Sequence, residues 1–210
     1  MSKYFSILIA SYNRPEFLKK CITSILKSDF KDFEIIISDD NSPRKNEITD
    51  VVKKFNDSNI KFYQQKINLK EPTNKNFLAS KANGLYNIQI GDDDILFSNS
   101  LSLIKQYIEN NSNIDIFTFG YKVIDEKDRL LYSRKSPKKL LVNNSNFFIS
   151  KQIYTSDIFP FWMYHPSIFC ARKGLELDYP YSTKSGIGED FQFFYDIFTA
   201  SKQILIIPEY

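Results

Sequence analysis

Histidine and cysteine are nearly absent from this chain of 210 residues, which has one histidine, His165, and two cysteines, Cys21 and Cys170. That pool cannot supply the Cys and His ligands of a usual zinc site or the bridges of a disulfide-stapled fold, so a metal here must be held by carboxylates. Long apolar runs are also lacking. The nearest candidate, Ile158 to Phe169, is interrupted by Pro160, His165 and Pro166 and falls short of the roughly 20 residues that span a bilayer. Met1 to Ala10 has neither the basic start nor the cleavage site of a secretory leader, and two isolated thiols suit a reducing compartment; the expected location is the cytoplasm. No charge of one sign dominates, since 28 Lys and Arg face 25 Asp and Glu, which argues against a dedicated nucleic-acid binder. With 42% apolar and 25% charged residues, 6 Gly and 8 Pro, the composition excludes disordered and collagenous chains and supports one sizeable core.

What is present is an alternation of apolar runs with helical patterns. Phe5 to Ala10 reads as a buried strand, and Asn13 with Pro15 opens a helix whose Phe17, Leu18, Cys21, Ile22, Ile25 and Leu26 recur at helical spacing. The cycle repeats with strands over Phe33 to Ser38, Ile60 to Gln64, Leu85 to Ile90 and Ile114 to Tyr121. Between them lie helices marked by Ile48, Val51, Val52 and Phe55, by Thr73 to Ala82, and by Leu101, Ile104, Tyr107 and Ile108. Such repetition calls for right-handed crossovers and a mostly parallel sheet covered on both faces, a doubly wound nucleotide-binding architecture. The second half is less regular. Arg134, Lys135, Lys138 and Lys139 form a basic cluster, Asn146 to Tyr154 reads as helical, Ser167 to Ala171 as a strand, Glu189 to Ala200 as a helix and Ile204 to Ile207 as a last strand. The chain ends just after it, which fits either a shortened C-terminus or a minimal form.

Polar clusters close three of these strands: Ser11-Tyr12-Asn13, Asp39-Asp40-Asn41 and Gly91-Asp92-Asp93-Asp94. That edge of an open α/β sheet is where ligands bind. Turn formation and helix capping explain such residues singly. Three successive aspartates beside a buried strand repel one another, and a divalent cation would neutralise them. Hard oxygens without His or Cys suit Mn²⁺ or Mg²⁺, which complete their shells with phosphate and water, so the matching ligand is a diphosphate.

Four motifs, in order, span nearly the whole chain: Ile7-Leu8-Ile9-Ala10-Ser11-Tyr12-Asn13, Ile37-Ser38-Asp39-Asp40-Asn41-Ser42, Asp92-Asp93-Asp94-Ile95-Leu96 and Gly188-Glu189-Asp190. Together they resemble the family-2 glycosyltransferases of GT-A fold, in particular the spore-coat polysaccharide branch. The resemblance implies one GT-A domain over 1–210: a Rossmann-like, mostly parallel sheet with helices on both faces, a nucleotide-sugar-binding half over 1–121 and a less regular acceptor-side half over 122–210. It implies that Ser11 and Tyr12 flank the nucleotide and that Asp39 accepts the N3–H of uracil, a feature thymine shares. It further implies that Asp92 contacts ribose while Asp93, with Asp94 beside it, ligates the metal, and that transfer to the acceptor proceeds with inversion. Gly91 stands where many members place an aspartate. Thr73-Asn74-Lys75-Asn76 occupies the place of the family's Arg-Asn, which makes Lys75 a donor-phosphate contact, against the alternative of a solvated helix residue.

Glu189 and Asp190 match the family's Glu-Asp pair, whose aspartate is the expected general base; acids also belong in a first helical turn on electrostatic grounds alone. His165 matches an acceptor-side position, and Phe159, Phe161, Trp162 and Tyr164 either pack a core or meet a saccharide or a lipid-linked acceptor, with peripheral contact at the inner membrane face. The implied activity moves a sugar from a nucleotide diphosphate, most simply a UDP-sugar, to an acceptor hydroxyl in polysaccharide or surface-glycan synthesis. Two alternatives stay open: a non-catalytic nucleotide-sugar-binding or assembly subunit, which would make no use of Asp190, and a nucleotidyltransferase, which lacks its Gly-rich basic loop here.

Overall fold

A computed structural model describes residues 3–134, 140–142, 169–184, 192–193, 196, 200 and 203–207. Its first strand, β1 (Phe5–Ser11), is buried along almost its whole length. Asn13 then adopts a left-handed φ of 60°, which asparagine tolerates, and α1 (Pro15–Leu26) starts with proline in its first turn, where no backbone N–H is needed. The predicted spacing is realised, since Leu18, Cys21, Ile22 and Ile25 are the buried face of α1. Next come β2 (Phe33–Asp39), α2 (Lys45–Phe55), β3 (Ile60–Gln64), α3 (Glu71–Lys81), β4 (Tyr86–Gly91) and α4 (Ser100–Glu109). Helix α3 begins two residues before the expected Thr73, because Pro72 is accommodated in a first turn.

The later elements are β5 (Ile116–Thr118), β6 (Tyr121–Ile124), β7 (Leu130–Arg134), β8 (Leu140–Val142), β9 (Phe169–Arg172), a one-turn helix α5 (Leu175–Asp178) and β10 (Ile204–Ile206). Among the described residues they form one eight-stranded sheet, ordered β3-β2-β1-β4-β9-β5-β10-β8, and a two-stranded β6-β7 ribbon. The expectation of a mostly parallel sheet holds for β3-β2-β1-β4 and for β5-β10. Strand β9 runs antiparallel between β4 and β5, and β8 antiparallel against β10. The single expected strand from Ile114 to Tyr121 is corrected. Pairing with β9 and β10 ends at Thr118, and the chain leaves the sheet through Phe119 and Gly120 to build the ribbon. An uninterrupted apolar run carries no mark of where its pairing partner stops.

The main core lies on one sheet face, where Phe5, Ile7, Ile9, Ile35, Ile37, Ile88 and Ile90 meet the apolar faces of α1, α2 and α4. Fully burying such a side chain is worth about 1.5–3 kcal/mol. On the other face Leu8 and Ile36 meet Leu78 and Ala79 of α3. Polar bonds fasten that side: Ser6 Oγ donates to Glu34 Oε1 at 2.6 Å, Asn83 N to the same oxygen at 2.8 Å and Gly84 N to Ser6 Oγ at 2.7 Å. No helix among the described residues is long and apolar enough to cross a membrane.

Candidate active site

Parallel pairing sets the strand ends that matter side by side. Ser11 is in register with Asp39, and Ala10 with Gly91, so the three polar clusters meet at one edge of the sheet. Backbone and side chains then lock them together. Tyr12 N donates to Asp92 Oδ2 at 3.2 Å, Asn13 N to Ser42 Oγ at 2.8 Å and Asp40 N to Ser11 O at 3.0 Å. The left-handed Asn13 and Asn41 turn the chain at these junctions. In front lies a cleft of about 840 Å³, walled by the ends of β1 and β4, by α3 and by the β6-β7 ribbon, a volume in the usual range for small-molecule sites.

Asp92 is fully buried at this edge. Its Oδ1 forms an ion pair with Arg14 Nη2 at 2.6 Å, and burial pushes its carboxyl up to about 6 against the opposing pull of Arg14. The Ser11 hydroxyl, also buried, lies close enough to lower that value but makes no hydrogen bond of normal geometry. Asp93 is half exposed, and its Oδ2 accepts Arg14 Nη1 at 2.6 Å. Asp94 folds back, with Oδ2 accepting Gly91 N at 3.0 Å. A Cβ on Gly91 would lie 2.9 Å from Asp93 Oδ1 and 2.9 Å from Asp94 Oδ2, so two carboxylate oxygens converge over the bare glycine. This accounts for glycine at a position where an acid would crowd them. Arg14 spans two members of the triplet and supplies a counter-charge that the aspartates alone did not reveal. Among the described residues no three acidic, His or Cys side chains group to hold a metal ion, so Mn²⁺ or Mg²⁺ would have one or two carboxylates here and would take its remaining ligands from phosphate and water.

Asp39 is placed differently. Its side chain is buried behind the cleft wall, where Ser42 N donates to Oδ2 at 3.3 Å, Ser42 Oγ donates to Oδ1, and Gln64 Nε2 reaches Oδ2 at 3.4 Å. The bond to Gln64 is the longest of the three and the one most readily exchanged for another donor. Tyr12 is half exposed and lines the cleft beside Ser11. Lys75 is not the solvated helix residue of the alternative reading. It is 7% exposed, lines the cleft, pairs with Glu71 Oε1 at 2.8 Å and lies 4.9 Å from the centre of the Tyr181 ring. Asn76 binds Tyr181 twice, donating to its carbonyl at 2.9 Å and accepting its N–H at 2.8 Å, while the Tyr181 ring stacks on Phe193 at 4.4 Å. The structure therefore brings Ser11, Tyr12, Lys75, Asp93 and Asp94 to one cleft and buries Asp92 and Asp39 behind its wall. Glu189, Asp190, His165, the aromatic cluster from Phe159 to Tyr164, Lys135, Lys138 and Lys139 and the expected helix from Asn146 to Tyr154 lie outside the described residues.

Sequence reasoning passed over Arg14 and Tyr181. Arg14 had a usable signal, a basic residue in a strand-end loop that must face an acidic one. Tyr181 had none, since its partner in α3 is 105 residues away. Cys21 and Cys170 are buried in the core, as expected, and burial holds both thiols far above their ordinary range.

Comparison with known proteins extends this picture. An uncharacterized glycosyltransferase of Methanocaldococcus jannaschii is 28% identical over 208 residues, covering 98% of this chain and 68% of the relative. A GalNAc(5)-diNAcBac-PP-undecaprenol beta-1,3-glucosyltransferase of Campylobacter jejuni is 38% identical over 104 residues, 48% of this chain and 33% of that protein. Among solved structures, S. aureus TarS in complex with UDP-GlcNAc superposes with a TM-score of 0.75 at 19% identity, covering 98% of this chain and 56% of that one. A mannosyltransferase from Pyrobaculum calidifontis in complex with GDP-Man and Mn²⁺ gives 0.69 at 10% identity over 99% of this chain and 55% of that one. These two likenesses establish the GT-A fold. The chain thus spans from a third to about two thirds of these four proteins. The sequence profile described as Glycosyl transferase family 2 matches residues 6–170, and the chain belongs to that family.

Proposed function

We propose that this chain transfers a sugar from a UDP-sugar to a hydroxyl of a saccharide or lipid-linked acceptor, with Mn²⁺ or Mg²⁺ and with inversion, in polysaccharide or surface-glycan synthesis. The observation that carries the reading is the convergence of the β1, β2 and β4 ends on one cleft lined by Tyr12, Asp93 and Asp94, with Asp92 buried directly behind them. The complex of TarS with UDP-GlcNAc supports UDP as carrier. In this reading residues 1–210 act as one GT-A domain on the cytoplasmic side, with peripheral contact at the membrane when the acceptor is lipid-linked.

Each side chain then has a task. Tyr12 offers its half-exposed ring to the base. Asp39 Oδ2 accepts the N3–H of uracil once Gln64 gives way. Asp92, held rigidly by Tyr12 N and Arg14, faces the ribose, and Lys75 turns from Glu71 toward the diphosphate. Asp93, with Asp94 beside it, would hold the cation, which when bound offsets the charge that gathers on the departing diphosphate. Asp190 accepts the acceptor's hydroxyl proton as that oxygen bonds to the anomeric carbon; the bond from that carbon to the phosphate oxygen breaks, and its electrons leave with UDP.

Thermal melting with a panel of nucleotide diphosphates, with and without Mn²⁺, tests the reading, because a ligand bound by the native state raises the melting temperature by mass action. UDP with Mn²⁺ is expected to raise it, and chelator to abolish the rise. A larger rise with GDP would overturn the donor assignment. Stabilisation by UDP that excess chelator leaves intact would overturn the metal.

A further inference from the structure

We propose that Arg14 is a built-in counter-cation of the donor site, which occupies Asp93 when no donor is present and trades that carboxylate for the donor's diphosphate when a divalent cation and donor bind. The inference rests on the function proposed above and extends it to a residue that no motif assigns.

The geometry supports three steps of argument. One guanidinium touches two successive carboxylates, with Nη2 at 2.6 Å from Asp92 Oδ1 and Nη1 at 2.6 Å from Asp93 Oδ2. An ordinary surface ion pair is worth little, but Asp92 is fully buried, and a buried carboxylate without a counter-charge is costly. The Asp92 contact is an ion pair without hydrogen-bond geometry, and it is the anchoring one because of the burial of its charge. The Asp93 contact lies at the open side, where the Asp93 side chain is 46% exposed, and it can be exchanged at small cost.

The main chain of Arg14 is held in place, because its carbonyl accepts Leu18 N at 3.0 Å and Pro15 follows it in the first turn of α1. Only the side chain needs to move. That side chain is itself 46% exposed and lines the cleft, so a short rotation carries Nη1 from Asp93 toward an anion in front of it. A guanidinium fork matches a phosphate as well as it matches a carboxylate.

Consequences follow for the order of binding. A cation arriving alone must compete with Arg14 for Asp93, so it binds weakly. A diphosphate arriving alone meets the acidic triplet while Arg14 is still engaged by two of its carboxylates. With both present, Asp93 would hold the cation and Arg14 would turn to the diphosphate, so that each binding event assists the other. Linkage makes that assistance reciprocal. Arg14 therefore suppresses metal binding in the resting protein and strengthens the metal and nucleotide together.

The test is a titration of Mn²⁺ followed by the spin-resonance signal of the free ion, with and without saturating UDP, for the parent, Arg14→Met, Arg14→Lys and Asp93→Asn. Arg14→Met is expected to bind Mn²⁺ alone at least tenfold more tightly than the parent and to bind UDP, in saturating Mn²⁺, at least tenfold more weakly. Arg14→Lys, whose single ammonium cannot span both carboxylates, should fall between them and serves if the methionine variant does not fold. Melting in chelator gives an independent reading: Arg14→Met should melt below the parent, and Mn²⁺ should close that gap. If Asp93→Asn abolishes Mn²⁺ binding while both Arg14 variants bind the free ion as the parent does, the metal site stands and the role of Arg14 is refuted. If the parent binds no Mn²⁺ even with UDP, the metal reading falls and this inference falls with it.

Discussion

Glu176 offers a sharp test of how the sheet tolerates a buried acid. It lies in α5 behind β4, is 1% exposed, and its Oε2 accepts Asn87 Nδ2 at 2.6 Å. Burial raises its carboxyl from 4.5 to about 7, opposed in turn by Asn87, by its own backbone N–H and by Gln89; the other titratable group facing it is the buried Cys170 thiol. The folded chain thus holds this proton more tightly than the unfolded chain does. The stability it contributes is whole below pH 4.5 and is lost as pH rises through about 7. At about 1.4 kcal/mol per pKa unit, the full loss is ~3 kcal/mol, and ~2–3 kcal/mol of it falls between about pH 5 and 8.5. Glu176→Gln keeps the volume and an oxygen to accept Asn87 Nδ2 but cannot ionise. Urea unfolding of parent and variant at both pH values cancels the titration of every other group, and the variant should gain ~2–3 kcal/mol on the parent across that interval. A gap that does not change with pH refutes the reasoning, since it would mean that Asn87 and Gln89 fully compensate the ionised carboxylate.

Gly84→Ala should destabilise the fold, because a Cβ there would lie 2.5 Å from Ser6 N and 2.6 Å from Phe5 C, both main-chain atoms of β1. Retreat of the turn breaks the Gly84 and Asn83 bonds at Ser6 and Glu34, a loss of ~2–4 kcal/mol visible in the urea midpoint, and an unshifted midpoint would contradict it. Asp39→Asn keeps an oxygen for Ser42 N but loses the carboxylate, so UDP binding by calorimetry should weaken by ~1.5–3 kcal/mol with stability little changed; undiminished affinity would remove Asp39 from base recognition. Asp190→Asn should leave UDP affinity intact and slow single-turnover transfer by about 10²–10⁴, the usual worth of a positioned base, whereas a near-parental rate would place the base elsewhere.

Local chemistry made the first half of the chain legible from its residues. The helical spacing of Leu18, Cys21, Ile22 and Ile25 and the apolar runs of β1 to β4 are short-range properties, and each element formed within a residue or two of its expected bounds. The turn residues Asn13 and Asn41 likewise marked strand ends, and parallel pairing then brought those ends to one edge. What the sequence could not determine depends on contacts between distant segments. Strand β9 enters between β4 and β5 antiparallel, and nothing in Phe169 to Arg172 names its neighbours, because backbone ladders accept any strand of suitable length. The break after Thr118 and the β6-β7 wall of the cleft follow from where those partners end. Asp39 and Asp92 looked equivalent as acids at strand ends, yet tertiary packing closed Ser42 and Gln64 over one and set Arg14 against the other. Residue type and spacing determined which groups gather at the sheet edge; the packing of remote side chains decided which of them face the cleft and with what charge, because burial and counter-charge are properties of the assembled fold.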